Sequence, residues 1–294
     1  MVKNNGSSLA YRIFCLVILI VLAFLFLFPL YWIVTGALKT PQAIGSPTPD
    51  WWPKELTLRN FQVLFSKRSA PLFEIGALKG PTIPGAIRWL LNTVFMAVMA
   101  MLLTCLTASM AGYALAKKRF TGRFLLFSLI VAAMALPKQV ILIPLIREMS
   151  SLGLYDNIWA VILPTVGWPF GVFLMKQFAE GIPGEMLEAA RIDGASELKT
   201  FTTVVYPMIK PGVGALAIFT FINSWNDYFM QLIMLTSSNN LTISLGIATM
   251  QAENSTDYGL IMAGASLAAI PIIVVFLLFQ KYFTKGITMG AVKG

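Results

Sequence analysis

The chain has 294 residues, 57% of them hydrophobic, with 22 Lys and Arg against 13 Asp and Glu and no histidine at all. Charged residues make up 12%, half the share of about 25% in a soluble domain. With several apolar runs of about 20 residues, this composition describes a polytopic membrane protein. Without histidine the commonest general base and the commonest metal ligand are both missing, so no metal site is expected. The net charge of +9 fits anionic headgroups and a positive-inside bias, and a nucleic-acid partner is not expected.

The first apolar run, Ile13 to Val34, follows Lys3 and Arg12 and contains Pro29. It exceeds the h-region of a signal peptide and lacks a small-x-small cleavage site, so it reads as a retained membrane helix. From about Lys39 to Gly85 runs an extramembrane segment with seven prolines and Trp51-Trp52. The prolines argue against long helices, and the tryptophan pair suits an interfacial anchor.

A second span is predicted over Leu90 to Leu115, ending at Lys117-Lys118-Arg119 with Arg123 beyond. The third, Phe124 to Ile146, is broken by Pro137-Lys138-Gln139 and Pro144. The fourth, Trp159 to Met175, contains Gly167-Trp-Pro-Phe-Gly171. The fifth, Gly212 to Leu235, is interrupted by Asn223-Ser-Trp-Asn-Asp227. A polar loop, Thr236 to Asp257, leads to the sixth, Gly259 to Phe279, and Lys281, Lys285 and Lys293 close the chain. The expectation is an all-α integral membrane protein with six transmembrane helices. Cys15 and Cys105 both sit in apolar runs and read as core thiols, not as a disulfide.

An even number of spans puts both termini on one side, with the 117–123 cluster and the 184–207 segment. That side holds thirteen of the Lys and Arg residues, and the Thr236–Asp257 loop on the other side holds none. Short basic connections mark the cytoplasm. Both termini are therefore expected there, in a bacterial inner or plasma membrane.

Catalysis in this chain is not expected. There is no Gly-x-x-x-x-Gly-Lys-Ser/Thr nucleotide loop, and Asp227 is the only acid within a predicted span. Polar groups at membrane depth are costly and usually face a cavity or another helix. Asn92, Gln139, Asn223, Asn226 and Asp227 are candidates for a substrate path, with Trp168 and Trp225 as stacking surfaces; helix–helix hydrogen bonding is the competing explanation for each. The pairs Gly167/Gly171, Gly259/Ala263 and Gly264/Ala268 are small-x-x-x-small faces that suit close helix packing.

The segment from Gly184 to Pro207 stands apart, holding four acids between apolar runs. Pro183 suits a first helical turn, and Glu185 and Glu188 complement the helix dipole. Asp193-Gly194 stops the helix, and Ser196 caps a second one leading through Pro207 into the fifth span. Four acids argue against anionic lipid as the partner. A protein groove is the better match.

This segment resembles the cytoplasmic "EAA" loop of importer permeases in ATP-binding-cassette (ABC) transporters. The family's pattern is Glu-Ala-Ala, a Gly four residues after the last Ala, nine residues, then Ile-x-Leu-Pro. Here Glu188-Ala189-Ala190, Gly194 and Val204-Val205-Tyr206-Pro207 keep that spacing, with Val204 for Ile and Tyr206 for Leu. Asn223-Ser-Trp-Asn-Asp227 and Gly290-Ala-Val-Lys-Gly294 resemble the smaller permease subunit of maltose- and oligosaccharide-type importers, so the likeness covers essentially the whole chain.

The resemblance implies the type I ABC importer transmembrane fold. Residues 1–86 would form the first helix and an extracytoplasmic loop, 87–282 the permease domain, and 283–294 a cytoplasmic tail. Glu188, Ala189, Ala190, Arg191, Asp193, Gly194 and Pro207 would couple to the ATPase, with Glu188 pairing a basic residue, Ala189 and Ala190 packing tightly and Gly194 making the turn. Implied partners are a second homologous permease, two cytoplasmic ATPase subunits that carry the ATP and Mg, membrane lipid, and an extracytoplasmic solute-binding protein facing the Thr236–Asp257 loop. The implied cargo is a di- or oligosaccharide, with polyols and glycerophosphodiesters left open. A self-sufficient secondary transporter would show an inverted repeat and membrane-embedded ionisable groups, and a mere anchoring scaffold would not need broken helices.

Overall fold

A computed structural model describes residues 9–75, 78–253 and 257–291, with side chains to 280. Lys3 and Lys293, and residues 292–294 of the terminal Gly290–Gly294 stretch, lie outside the described residues. Among the described residues, five helical stretches are long and apolar enough to cross a bilayer: Tyr11–Ala37, Gly85–Lys117, Trp159–Glu180, Glu197–Asn226 and Tyr258–Gln280. Where the third span was predicted, Arg123–Ala133 and Lys138–Ser151 form a pair bent by 101°, apolar enough to cross only if the two count as one span. Five of the six predicted spans thus fall on such helices, and the third is not a continuous helix.

α1 (Leu9–Ala37) is apolar on every side and contains Pro29. None of its most apolar window is buried within the chain, so its surroundings must be lipid or another subunit. Its last turn is fixed by Asn60, whose buried amide donates to the carbonyls of Ala37 and Lys39, each at 2.9 Å. Lys39 is folded under this turn, its ammonium 4.1 Å from the Trp32 ring centre. Trp51 and Trp52 stand more than 60% exposed beside it, as an interfacial anchor requires.

The proline-rich segment holds only short elements: α2 (Pro41–Ile44), α3 (Arg59–Ser66) and four strands, β1 (Ser69–Pro71), β2 (Glu74–Ile75), β3 (Leu78–Lys79) and β4 (Thr82–Pro84). Antiparallel pairing of β1 with β4 and β2 with β3 makes one small ribbon, the exception to an all-α chain.

α4 (Gly85–Lys117) starts earlier than its apolar core suggested. α5 (Arg123–Ala133) then stops at Pro137, and a 3₁₀ turn (Lys138–Ile141) leads into α6 (Leu142–Ser151). α7 (Trp159–Val166) and α8 (Pro169–Glu180) are separated only by Gly167-Trp168. After the amphipathic α9 (Gly184–Ile192) comes α10 (Glu197–Thr200), a π turn (Phe201–Val205) and α11 (Tyr206–Asn226) without interruption. α12 (Tyr228–Met234) follows Asp227 directly.

The Thr236–Asp257 stretch is not simply a polar loop. It contains α13 (Ile243–Glu253), with Ile243, Leu245 and Met250 all buried. α14 (Tyr258–Ala291) runs past Phe279 without a break at residue 282, so most of the expected tail continues the last helix.

α11 is the central helix, packed on α4, α8 and α14. α4 lies on α7 and α8, while α1 packs against α14 at the periphery. Two cores divide the molecule along its length. One, around Trp89, Met96, Phe221 and Ile243, lies towards the ribbon end; the other, around Tyr113, Met175, Leu187 and Phe201, lies towards the α9 end. At Gly112 a Cβ would come within 2.6 Å of the α8 backbone at Met175 and Lys176, so glycine permits that closest approach. Gly171, Gly259 and Gly264 also sit against neighbours, whereas Gly167 faces open space and belongs to a helix break.

Candidate functional site

The α9 end is built by one compact turn. Pro183 is the N-cap of α9, one position before the first turn where it was expected. Asp193 caps the C-terminus and Gly194 adopts φ +73. The Ala195 N–H donates to Ala190 O at 3.0 Å and the Gly194 N–H to Arg191 O at 3.0 Å. These two bonds complete a Schellman motif. A Cβ on Gly194 would touch nothing within 4 Å, so glycine is needed for its backbone conformation alone. Ser196 then caps α10, its hydroxyl accepting the Lys199 N–H at 3.3 Å.

The turn sorts α9 into two faces. Leu187 and Ala190, three residues apart, point into the chain and are buried. Ala190 therefore packs its own chain, and of the two alanines expected to pack against a partner only Ala189 is exposed. Glu188, Ala189, Arg191 and Asp193 are exposed, as are Ile192 at 86% and Leu198 at 66%. Pro207 is exposed but lies on the first turn of α11, away from this tip.

Glu197 ties the turn to α4. Its carboxylate pairs with Lys118, accepts the Tyr113 hydroxyl at 3.3 Å, and lies 3.8 Å from Arg191. Lys118 also sits 5.1 Å from the Tyr113 ring centre. Burial tends to lower the Lys118 pKa, but its bonds to Glu197 and Tyr113 raise it above the ordinary value. Lys117 donates to the carbonyls of Glu180 and Ile182 at 3.1 and 2.6 Å. Of this cluster only Arg191 was named in the sequence as a site; Tyr113, Lys117, Lys118 and Glu197 were not, because their partners lie 63 to 84 positions away.

The second feature is a cavity of about 540 Å³ at which three helix breaks meet. Met134, Leu136 and Lys138 come from the α5–α6 bend, Pro164 to Phe170 from the α7–α8 break, and Asn223 and Asp227 from the end of α11. Eleven residues of α5 rise about 16 Å, half of a hydrocarbon core of about 30 Å, so a helix that enters at Arg123 reaches mid-membrane at the bend. Irregular backbone at that depth is tolerated where it is buried in protein or lines a cavity.

Three of the seven residues proposed for a substrate path line this cavity: Trp168, Asn223 and Asp227. The other four do not. Asn92 is buried and spends both amide protons on Asn239 O and Leu241 O, at 2.8 and 2.9 Å, holding the segment before α13. Trp225 is in the core, stacked on Phe221 with ring centres 5.5 Å apart. Asn226 is exposed and donates to Ile222 O of its own helix, and Gln139 is exposed outside the cavity.

Asp227 is not alone. Lys138 Nζ lies 2.8 Å from its Oδ2, while Oδ1 accepts the Met230 N–H and starts α12. Lys138 had been read only as part of a break. A lone lysine inside an apolar run was the one available signal.

Residues 104–289 match the family described as binding-protein-dependent transport system inner membrane component. The chain belongs to that family. This membrane component is 32% identical, over the full length of both chains, to the arabinooligosaccharides transport system permease protein AraQ of Bacillus subtilis (strain 168). It is 30% identical to the trehalose/maltose transport system permease protein MalG of Thermococcus litoralis, covering 96% of this chain and 97% of that one. Among solved structures, a bacterial ABC transporter involved in import of the acidic polysaccharide alginate superposes with a TM-score of 0.74 at 24% identity, covering 94% and 99% of the two chains. The MetNI methionine transporter shares the fold over 69% of this chain, with a TM-score of 0.54 at 16% identity. The fold is therefore common to ABC transporters of unlike cargo. The chain is a multi-pass permease component of a binding-protein-dependent ABC system, and is not itself an enzyme.

Proposed function

We propose that this chain is one half of the translocation pathway of a carbohydrate importer, driven by ATPase subunits that dock on the Gly184–Pro207 turn. The observation that carries the coupling role is the tip itself. An exposed acid, Glu188, a small residue, Ala189, and two exposed apolar side chains, Ile192 and Leu198, are grouped on a turn locked by Gly194. Small residues allow close approach, the apolar pair offers surface to bury, and a carboxylate suits a bidentate arginine. The carbohydrate reading rests on the relatives, whose names specify arabinooligosaccharides and trehalose/maltose.

On this reading the α9 end is cytoplasmic, as the Lys117–Arg123 cluster supports, and both termini share that side. The ribbon end with the segment before α13 faces the solute-binding protein. Residues 87–282 form the permease domain beside a second, homologous permease, lipid surrounds α1, and ATP and Mg are bound by two partner ATPase subunits.

The test is reconstitution of the purified chain with its genomic partners. A loaded binding protein should stimulate ATP turnover and oligosaccharide uptake. Gly194→Pro cannot adopt φ +73 and loses the bond to Arg191 O, so stimulation should fall at least about tenfold while the complex still assembles; Glu188→Lys should act likewise through charge. Wild-type uptake from Gly194→Pro would refute the coupling role.

A further inference from the structure

The Lys138–Asp227 pair lies in a cavity formed by broken helices. Asp227 Oδ1 caps α12, but an uncharged Asn would cap it as well, so neither charge is needed for the fold, and an ion pair carries a desolvation cost at membrane depth that neutral residues avoid. Lys138 is half-exposed and Asp227 is 18% exposed, so the pair is open to the cavity. Lys138 spends one of three N–H donors on Asp227. Asn223, one helical turn before Asp227 on the same face, adds a donor and an acceptor. Trp168 lines the same cavity, its ring centre 5.0 Å from that of Phe170. The cavity thus combines a flat aromatic surface with polar groups that carry donors and acceptors yet no net charge.

We infer that this cavity is a saccharide contact site within this subunit, and that the Lys138–Asp227 pair makes it selective for neutral polyhydroxyl solutes over charged ones. A row of hydroxyl groups, each donor and acceptor at once, matches adjacent ammonium, carboxylate and carboxamide groups. The apolar face of a sugar ring matches Trp168. An anion gains from Lys138 what it loses to Asp227, and must still shed its hydration, so it enters at a disadvantage. The inference rests on the carbohydrate-importer reading and adds to it a location and a charge rule.

The experiment uses the complete importer, with Cys15 and Cys105 replaced by alanine and Asn223→Cys introduced. Labelling of the introduced thiol by an anionic and a cationic methanethiosulfonate is followed by mass, each rate normalised to that of a free thiol. With the pair intact the two normalised rates should agree. Lys138→Gln should shift their ratio about tenfold towards the cation, and Asp227→Asn as far towards the anion, the effect of one uncompensated charge a few ångströms away. Asn at 227 keeps an acceptor for the Met230 N–H, so α12 survives. The exchange Lys138→Asp with Asp227→Lys should restore equal rates and guards against misfolding.

Arabinotriose should protect the thiol in the intact-pair protein where trigalacturonate does not, and Asp227→Asn should let trigalacturonate protect. Absence of protection by arabinotriose, or equal protection by both, would overturn the site. If uptake and ATPase stimulation by a loaded binding protein persist in that case, the importer reading stands and only this inference fails. If no saccharide drives stimulation of the wild-type importer, the importer reading itself fails.

Discussion

Asp156 is a residue to which the sequence drew no attention, yet it organises the ribbon end. Its backbone is left-handed, φ 59, a conformation that Asp and Asn tolerate best among non-glycine residues. Its Oδ1 accepts the N–H groups of Thr236 and Ser237 at 2.7 and 2.9 Å, and its own N–H donates to Met234 O at 3.0 Å. Asn240 donates to its carbonyl. Burial alone would raise the Asp156 pKa, but the two backbone donors hold it below the ordinary carboxylate value. A pKa depressed in the folded state stabilises fully above the unfolded value of about 3.9 and is lost as pH falls through the folded value. The thermal midpoint of the purified complex should therefore fall between about pH 5 and pH 3, and less steeply in Asp156→Asn, which keeps the backbone conformation. Equal slopes would show that the carboxylate is not the holding group. Nothing local marks this role, because the partners are 80 positions away. Gly194 is the opposite case: its φ follows from a helix that must stop, and Asp-Gly announced that in the sequence.

Between elements, close approach is the strongest constraint, and Gly112 tests it. A side chain there meets the α8 backbone, which cannot rotate away as a side chain would. Gly112→Val should cost about 3 kcal/mol or more and lower the thermal midpoint of the detergent-purified protein, whereas Gly167→Ala, in open space, should leave it nearly unchanged. Similar losses from both would mean that α4–α8 packing is looser than the geometry requires. The same contrast explains what was legible. α1, α4 and α14 were readable because long uniform apolar runs have one stable form in a bilayer. The third span was readable as broken from Pro137 and Pro144, but its 101° bend is set by packing of α5 on α8. α13 was missed because its polar lead-in and Gly246 imitate a loop; in the fold that glycine lies against the Trp89 ring, and the Ile243 N–H donates to Thr93 Oγ1 at 2.9 Å. For the cavity, Asp227 and Asn223 could be named as polar oddities, but the pairing with Lys138 depends on two distant breaks meeting.

The turn at Gly194 and the cavity are joined by one continuous rod, Glu197–Asn226, thirty residues long. Its lower end carries Glu197, clamped to α4, and its upper end carries Asn223 and leads into Asp227. The rod also contains the π turn, closed by the Tyr206 N–H donating to Phe201 O. That turn has a local cause: Pro207 has no N–H to give to Thr203 O, and a regular α-helix would press its ring against that carbonyl. One extra residue in the turn absorbs both problems and fixes the rotational phase between the α9 tip and the cavity. Pro207→Ala removes that cause, so the extra residue can join a regular helix, which should rotate one end against the other by about 100° and lengthen the rod by about 1.5 Å. Deleting Thr203, whose side chain is exposed, takes the extra residue out with the phase nearly kept, but on its own should destabilise, because Pro207 then stands in a regular helix at a cost of about 3 kcal/mol. Pro207→Ala alone should still assemble with the partner subunits while ATP turnover no longer responds to the loaded binding protein, and adding the Thr203 deletion should restore the response. Full response in Pro207→Ala would show that force passes from the turn to the membrane helices by a route other than this rod, with the Glu197–Lys118 clamp onto α4 the next to test.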